Sequence, residues 1–471
     1  MVNEDVRKVE AEIDRCIRDM PVWRVRRDVL LRRLMTIWRD GLELMNLMAA
    51  HSMMFGVEEG LKTSIASEHL MATGAYQALK WAMEFTEDDG RGEVSDEELV
   101  DLVMETAGLY QVLVDALKLG AYDKAEFSID RESKTLTIYE GGNVSGHDAA
   151  IVQRDHITVP FHRQSPLVGD ADQLTARWNA GEYRRFYEWL DNLARHAETE
   201  TIVARLPLMP EQPVMKRPVV MELPSPPPEF VRVQEDLTLT VAKAQGPIKW
   251  KIDSWHDCPL IEIGGRAFGV SIAIHTLAGL DDYMLRAAVL HDPAQYEKVS
   301  GLREDRMIAR CKAAFEAAGW TFTPRHMLSN PPREIDGYAR RATETCIVQL
   351  KSTLRPQSSW EVYKRNNDII DGIAHTAEVV RRFGEGTTGI VITDGYEGDY
   401  ATWKKSLATG VPVATLEDVD WIARDLRDAF KSLARRAGIE EQAPPEELPE
   451  RSFTLCGWTL RLLDRAKARG A

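Results

Sequence analysis

The polar side chains of Gln349 and Lys351 follow an apolar run in ETCIVQLKSTL, residues 344–354. Gln349 and Lys351 are two residues apart, so a β-strand would place both on one face. The carboxylate of Asp336 precedes them in REIDGYARR. Carboxylate and amide oxygens are ligand types for hard cations, and a fixed ammonium stabilises charge on a phosphate. The alternative is that Gln349 and Lys351 have no chemical role and simply lie on the solvent face of a half-buried edge strand.

The surrounding elements decide between these interpretations. From residue 303 the patterns of apolar residues predict the order αβββαβαβ. The corresponding segments are REDRMIARCKAAFEAAG, WTFTPRHML, REIDGYARR, TETCIVQLKSTL, SSWEVYKRNNDIIDGIAHTAEVVRRF, TTGIVITDG, YATWKKSLATG and VPVATLEDVDWIARDL, the last a strand that runs into a helix. This order predicts a mixed sheet flanked by helices. The third strand precedes a crossover helix, so we expect it to be central and covered on both faces.

Polar side chains in a covered strand need partners, because an unpaired polar group in a core is costly. Alternation on the second strand predicts Glu334 and Asp336 on one face and Ile335 and Gly337 on the other. One face of two neighbouring strands is therefore expected to collect Asp336 together with the polar pair of the third strand.

This pattern resembles the PD-(D/E)xK nuclease superfamily in its D…QxK variant, with Mrr-type restriction endonucleases and Holliday-junction resolvase-like proteins the most similar branches. The resemblance covers about residues 300–420. It implies an α/β restriction-endonuclease-like domain in which Asp336 binds a divalent metal, Mg²⁺ or Mn²⁺, and Gln349 is the second ligand. It also implies that Lys351 activates water and stabilises the phosphorane, and that a glutamate of the first helix, Glu304 or failing that Glu316, completes the site.

The chain departs from the family pattern in one place. Pro331 and Pro332 lie several residues before Asp336 instead of adjoining it, and the remaining motif is short. The implied function is a metal-dependent endonuclease that hydrolyses phosphodiester bonds, with DNA the preferred substrate, in anti-phage defence or DNA processing. The alternative is a non-catalytic scaffold that binds nucleic acid or protein on a degenerate nuclease fold, with Asp336 and Lys351 forming only an ion pair.

Charge is unevenly distributed along the chain. The net charge is −15, which argues against a generally basic, nucleic-acid-coating surface. Residues 301–383, however, hold 14 Lys and Arg against 10 Asp and Glu. Arg355, Lys364 and Arg365 are the candidates for phosphate contacts. They are equally well explained as the solvated face of a helix.

The length of 471 residues predicts a multidomain protein. We expect a mainly α-helical N-terminal domain with a short β insertion, a proline-rich linker, a lead-in β/α segment, the nuclease-like domain, and a C-terminal tail with a short helix. The predicted boundaries are 1–205, 206–230, 231–300, 301–435 and 436–471. The lead-in segment is predicted either to extend the nuclease-like sheet or to pack as a small subdomain.

The sequence contains neither a long uninterrupted apolar run nor an apolar signal-peptide core, so we expect a cytoplasmic protein without membrane contact. The five cysteines form no CxxC pair and the eleven histidines no metal motif. Two further partner hypotheses are a homo-oligomer and a protein partner of the N-terminal helical domain.

Overall fold

The computed structural model describes most of the chain. The described residues are 4–55, 59–121, 125–140, 180–204, 212–247, 252, 255, 257–276, 293–328, 333–352, 359–394, 398, 400–442 and 450–464.

Helices dominate the N-terminal part and flank the C-terminal sheet. In chain order they are α1 (Glu4–Arg18), α2 (Arg27–Phe55), α3 (Glu59–Phe85), α4 (Asp96–Asp101), α5 (Leu109–Ala121), α6 (Ala180–Ala197), α7 (Val231–Leu237), α8 (Val241–Gln245), α9 (Ser271–Thr276), α10 (Pro293–Ala317), α11 (Ser359–Phe383), α12 (Tyr400–Thr409), α13 (Val419–Arg424) and α14 (Leu426–Gln442). A π-helical stretch, Leu102–Gly108, joins α4 to α5, and short 3-10 helices occupy Pro21–Arg24, Pro228–Phe230 and Leu416–Asp418. A capping box starts α4, because the Glu98 N–H donates to Ser95 Oγ at 3.1 Å and the Ser95 N–H donates to Glu98 Oε2 at 2.7 Å. No helix within the described residues is long and apolar enough to cross a membrane.

The strands form four sheets in the described part of the chain. In chain order they are β1 (Ala125–Asp130), β2 (Thr135–Glu140), β3 (Thr201–Ala204), β4 (Gln212–Lys216), β5 (Val220–Glu222), β6 (Thr238–Leu239), β7 (Leu260–Ile263), β8 (Arg266–Val270), β9 (Thr321–Leu328), β10 (Arg333–Arg341), β11 (Glu344–Lys351), β12 (Thr387–Thr393), β13 (Val413–Thr415), β14 (Arg451–Leu455) and β15 (Trp458–Asp464). The sheet orders are β1-β2-β15-β14, β3-β4, β5-β8-β7-β6 and β13-β12-β11-β10-β9.

The C-terminal segment belongs to the N-terminal sheet. β15 pairs in parallel with β2, from Thr459 opposite Thr135 to Asp464 opposite Glu140, and β14 pairs with β15. The buried side chains of Leu455, Trp458 and Leu460 join the core of the helical part. Of the predicted tail, 436–471, residues 451–455 and 458–464 are therefore paired strands and residues 436–442 belong to α14, while residues 443–449 and 465–471 lie outside the described residues.

The proline-rich segment also differs from the extended linker that its composition predicts. From residue 212 onward it forms β4, which pairs with β3, and β5, which pairs with β8. Both are edge strands, where a proline without an N–H costs no internal ladder bond. Leu223 and Phe230 behind them are buried, so this segment is packed into the body of the protein.

The lead-in segment packs on the N-terminal helices. Tyr76 of α3 donates a hydrogen bond from its hydroxyl to the Cys258 carbonyl at 2.9 Å, and Trp255 and Phe268 lie in the same apolar core as Trp38 of α2. The sequence left two placements open for residues 231–300. The strands of this segment that the structure describes do not extend the β9–β13 sheet and pack on the N-terminal helices instead.

The C-terminal α/β region has the predicted order of elements. β9, β10 and β11 are antiparallel, whereas β11, β12 and β13 are parallel. One face of the sheet packs on α10, α13 and α14 through a core that includes Cys311, Phe315 and Val348. The other face packs on α11, with Ile347 against Val379. Because β11 is central and buried on both faces, the edge-strand alternative for its polar pair is wrong.

Candidate active site

The polar residues predicted from the sequence meet where β10 and β11 separate. The ladder between these strands ends at Gly337 opposite Val348. Beyond it, the Leu350 N–H donates to Asp336 Oδ2 at 2.6 Å. The carboxylate therefore replaces a backbone acceptor and lies between the ends of the two strands, a position set by the backbone of β11.

Gln349 lies beside Asp336 and makes the contact on which the site depends. Its Nε2 donates a hydrogen bond to Asp336 Oδ2. Both residues are buried, at 8% and 9% exposure, and Gln349 Oε1 has no hydrogen-bond partner. An unsatisfied buried acceptor costs about 1–3 kcal/mol. The amide is thus held by the carboxylate on one side and leaves one oxygen available on the other.

Strict alternation along β10 was a wrong prediction. Ile335 was predicted to share a face with Gly337, but a Cβ on Gly337 would meet Phe322 and Val348 of the core on the α10 side, while Ile335 packs with Ile347 and Val379 on the α11 side. The inward faces therefore shift by one residue between them, next to Asp336. This irregularity is what turns the Asp336 carboxylate toward the Leu350 N–H.

The electrostatic surroundings of Asp336 suit a cation. The pKa of Asp336 is raised to about 6: burial is the main cause and the negative charges of Glu304 and Glu334 add to it, while the Leu350 N–H and the Lys351 ammonium oppose the rise. A buried carboxyl with acidic neighbours is stabilised in its ionised form by a nearby positive ion. The causes of the shift also place Glu304 and Lys351 within electrostatic reach of Asp336.

Glu304 contributes to the acidic group from α10. It lies with Asp305 and Glu334 around the guanidinium of Arg325, at N–O distances of 3.5, 2.5 and 4.0 Å. Arg325 has a left-handed backbone, with φ of 45°, at the point of β9 that lies beside Asp336. Arg325 is thus the counter-ion of these three carboxylates, a role that the sequence did not indicate.

Glu316, the other glutamate considered, lies elsewhere on the same helix. It is twelve residues beyond Glu304, which corresponds to about 18 Å along a helix axis, and it pairs with Lys312 at 3.9 Å. The structure brings Glu304 and not Glu316 to the site.

Lys351 ends β11 and lies against α11. A Cβ on Gly372 would stand 2.9 Å from Lys351 Cε, so the lysine stem passes closely over this glycine. Among the described contacts the Lys351 ammonium makes neither a hydrogen bond nor an ion pair. The contact that the ion-pair alternative requires between Asp336 and Lys351 is therefore not among the described interactions.

A buried ion pair that the sequence did not predict fixes α10 to the end of the sheet. Arg303 Nη2 lies 2.6 Å from Asp394 Oδ2, and the two side chains are 9% and 1% exposed. Ser352 Oγ donates to the same oxygen at 3.4 Å. Because Arg303 adjoins Glu304, this pair positions the middle of α10, where the glutamate lies. The signal available in the sequence was an aspartate directly after β12.

The residues proposed to contact nucleic acid have different surroundings. Lys364 is exposed on α11. Arg365 is largely buried and pairs with Asp368 at 3.5 Å, so its charge is already partly neutralised. Arg355 lies outside the described residues.

Within the described part of the chain, no group of three or more His, Cys, Asp or Glu side chains is arranged to hold a metal ion. Comparison of the chain with protein-family models, with curated proteins and with solved structures gave no significant match.

Proposed function

We propose that this protein is a metal-dependent endonuclease that hydrolyses phosphodiester bonds, with DNA as the preferred substrate, on a restriction-endonuclease-like fold. The observation that supports this most is the buried Gln349 amide, which donates to Asp336 and keeps Oε1 unpartnered at the end of the central strand. A buried polar atom retained at a cost in stability is typical of a binding site.

The donor set suits Mg²⁺ or Mn²⁺ better than a softer ion. Asp336, Gln349 and Glu304 would hold the ion through oxygen atoms, and Mg²⁺ is usually bound through one or two carboxylates while it keeps several waters. Gln349 Oε1 supplies a ligand atom that has no competing hydrogen bond. Glu304 would exchange its interaction with Arg325 for the ion.

The chain's own residues have separate roles in this proposal. When bound, the ion would polarise a phosphoryl oxygen and lower the pKa of a bound water. The Lys351 ammonium, which has no described partner, would lie where negative charge develops on the phosphate. The Asp336 carboxylate is oriented by the Leu350 N–H, and the Arg303–Asp394 pair holds α10 in place.

The surroundings of the site support a nucleic-acid substrate. Residues 301–383 carry more basic than acidic side chains, in contrast to the acidic chain as a whole. Lys364 is exposed, and Arg365 would contact a phosphate after releasing Asp368. We include in the proposal a cytoplasmic location and a homo-oligomer, since one such site cuts one strand and a double-strand break needs two.

The experiment that tests the proposal is a cleavage assay with the full chain on plasmid DNA, single-stranded DNA and RNA, with Mg²⁺, with Mn²⁺ and with a chelator. We expect metal-dependent cleavage that Lys351→Ala lowers by about 10²–10³-fold, as for loss of one group that stabilises the transition state. The melting temperature should change by no more than a few degrees. The matched control is Lys312→Ala, which removes an exposed lysine of α10 and should leave cleavage unchanged.

A second function, a non-catalytic scaffold that binds nucleic acid, is favoured by the lack of a three-residue metal cluster within the described ranges. In that case the protein would bind DNA without cutting it under any metal condition, and Lys351→Ala would alter neither binding nor stability. Cleavage that persists in Lys351→Ala would instead point to a contaminating nuclease.

A further inference from the structure

Two cysteines that are far apart in the sequence are in contact in the helical part of the protein. Cys16 lies on α1, and Cys456 lies in the turn between β14 and β15, more than 400 residues later. The Cys456 thiol donates a hydrogen bond to the Cys16 sulfur. A disulfide joins its sulfurs at about 2.0 Å, so thiols already in contact are close to the separation that the bond requires.

A second contact holds the same helix against the same hairpin. Glu12 is one helical turn before Cys16, so the two side chains lie on one face of α1. Trp458, two residues after Cys456, donates from Nε1 to Glu12 Oε2 at 3.2 Å. Trp458 and Ile13 of α1 are buried in one core. The backbones that carry the two thiols are therefore held side by side by packing and a hydrogen bond that involve neither thiol.

The backbone conformation of Cys456 is unusual for a cysteine. Leu455 stands opposite Trp458, so Cys456 and Gly457 form a two-residue hairpin loop, with φ of 51° and 75°. Loops of this kind favour Asn-Gly or Asp-Gly, because both central residues have positive φ. The thiol therefore occupies a position at which the turn itself favours another residue type.

Exposure determines which thiol an oxidant reaches first. Cys16 is exposed, whereas Cys456 is partly buried. Burial chiefly, and then the hydrogen bond to Cys16, raise the pKa of Cys456 to about 12, so this thiol keeps its proton near neutral pH. The other three cysteines, Cys258, Cys311 and Cys346, are fully buried. An oxidant in solution therefore meets Cys16, with Cys456 beside it as the second thiol.

We propose that Cys16 and Cys456 are a modification site at which hydrogen peroxide forms a reversible disulfide. The Cys16 sulfur attacks a peroxide oxygen, the O–O bond breaks, and water leaves, which gives a sulfenic acid. The Cys456 sulfur then attacks the sulfenic sulfur. The S–S bond forms as the S–O bond breaks, and the departing hydroxide takes the Cys456 proton as a second water. The thiols are oxidised by two electrons and the peroxide is reduced to water, and a dithiol reductant reverses the bond.

The test is mass spectrometry and non-reducing electrophoresis of the full chain, before and after hydrogen peroxide, with alkylation of the remaining thiols. We expect a peptide pair linked through Cys16 and Cys456. The denatured monomer should migrate faster until dithiothreitol is added, because the bond closes a loop of more than 400 residues. The oxidised protein should also melt at a higher temperature than the reduced protein, since the bond restricts the unfolded chain.

Two variants and a control separate this pair from the other thiols. Cys16→Ser and Cys456→Asn should each abolish the linked peptide and the faster band. Asparagine suits a positive φ, so Cys456→Asn should melt at no lower temperature than the reduced parent protein, which shows that the variant is folded. Cys311→Ala is the matched control, because it removes a thiol that is 0% exposed and should leave the faster band unchanged.

Three results would overturn the inference, and none depends on cleavage of nucleic acid. One is alkylation of both Cys16 and Cys456 after peroxide treatment, with no linked peptide. Another is oxidation of Cys16 to a sulfinic or sulfonic acid without linkage. The third is a disulfide between two molecules through Cys16 that persists in Cys456→Asn, because Cys456 would then have no part in the reaction.

Discussion

Adding one methyl group at Gly372 should displace Lys351 without unfolding the protein. The Cβ of an alanine there would lie 2.9 Å from Lys351 Cε, whereas its next contacts, at 3.5 Å to Lys351 Cγ and 3.6 Å to Val391, are ordinary. The clash thus involves the far end of a flexible side chain and no backbone atom. Gly372→Ala is therefore a specific perturbation of the lysine.

The expected magnitude comes from this distance. Carbon atoms in contact stand about 3.5–4.0 Å apart, so the Lys351 stem must move by roughly 1 Å. A displacement of that size in a catalytic group lowers rates by up to about 10²-fold. Alanine also favours a helix over glycine by about 1 kcal/mol. Gly372→Ala should therefore cleave about 10- to 100-fold more slowly while its stability stays the same or rises.

The assay combines cleavage rate with thermal unfolding, and α10 supplies the control. Gly301 is also a helical glycine, but a Cβ there would meet no atom within 4 Å. Gly301→Ala should raise the melting temperature and leave cleavage unchanged. Cleavage by Gly372→Ala at the parental rate, in a background where Lys351→Ala is inactive, would refute the argument that α11 positions the lysine.

Three further predictions follow from the contacts around the site. First, Mg²⁺ should raise the melting temperature more at about pH 8 than at about pH 5. The raised pKa of Asp336, about 6, means that ionising this carboxyl costs stability as pH rises from its unfolded value near 4 through 6, and the cation offsets that cost; Asp336→Asn should show no such pH dependence by calorimetry. Second, Gln349→Glu should bind Mg²⁺ more tightly in a titration but melt at a lower temperature without metal, since two carboxylates would then be in contact. Third, Arg303→Ala should lower the free energy of unfolding in urea by about 3–5 kcal/mol, because it removes the guanidinium that pairs with the 1%-exposed Asp394 carboxylate.

Local sequence patterns were sufficient to predict the elements around the site. The run REIDGYARR coincides with β10, and the order of helices and strands from α10 to β13 is as predicted. Apolar runs bounded by turns and helical periodicity are properties of neighbouring residues, so they can be recognised without knowledge of the fold. The proximity of Asp336 and Gln349 was also predicted, but from a strict alternation along β10 that the strand does not keep.

Pairing between distant segments could not be predicted in this way. β2 and β15 are separated by more than 300 residues, and nothing in either strand specifies the other as its neighbour. The prolines of residues 206–230 likewise predict an extended chain. A proline-containing edge strand is also extended, so composition does not distinguish it from a linker. Periodicity identifies a strand but does not identify its partner.

The ion pairs of the site depend on tertiary structure for the same reason. Arg325 pairs with Glu304 and Glu334 and has a left-handed backbone conformation, and no feature of TFTPRHML indicates either property. Nothing in the sequence distinguishes Arg303 from the other basic residues of this region, although it is buried against Asp394. Charged residues on a helix are usually solvated, and only the fold distinguishes the exceptions.

A glutamine at position 349 fits the charge already present around Asp336. Glu304 and Glu334 both raise the pKa of that carboxyl, and Arg325 offsets only part of their charge. A carboxylate at 349 would add a further negative charge in direct contact with Asp336. The amide instead donates a hydrogen bond to Asp336 and retains an oxygen without a partner. Glutamine therefore stabilises the metal-free site more than a carboxylate would, but it binds a cation less strongly. Under the nuclease proposal we expect residue 349 to limit the affinity for the metal.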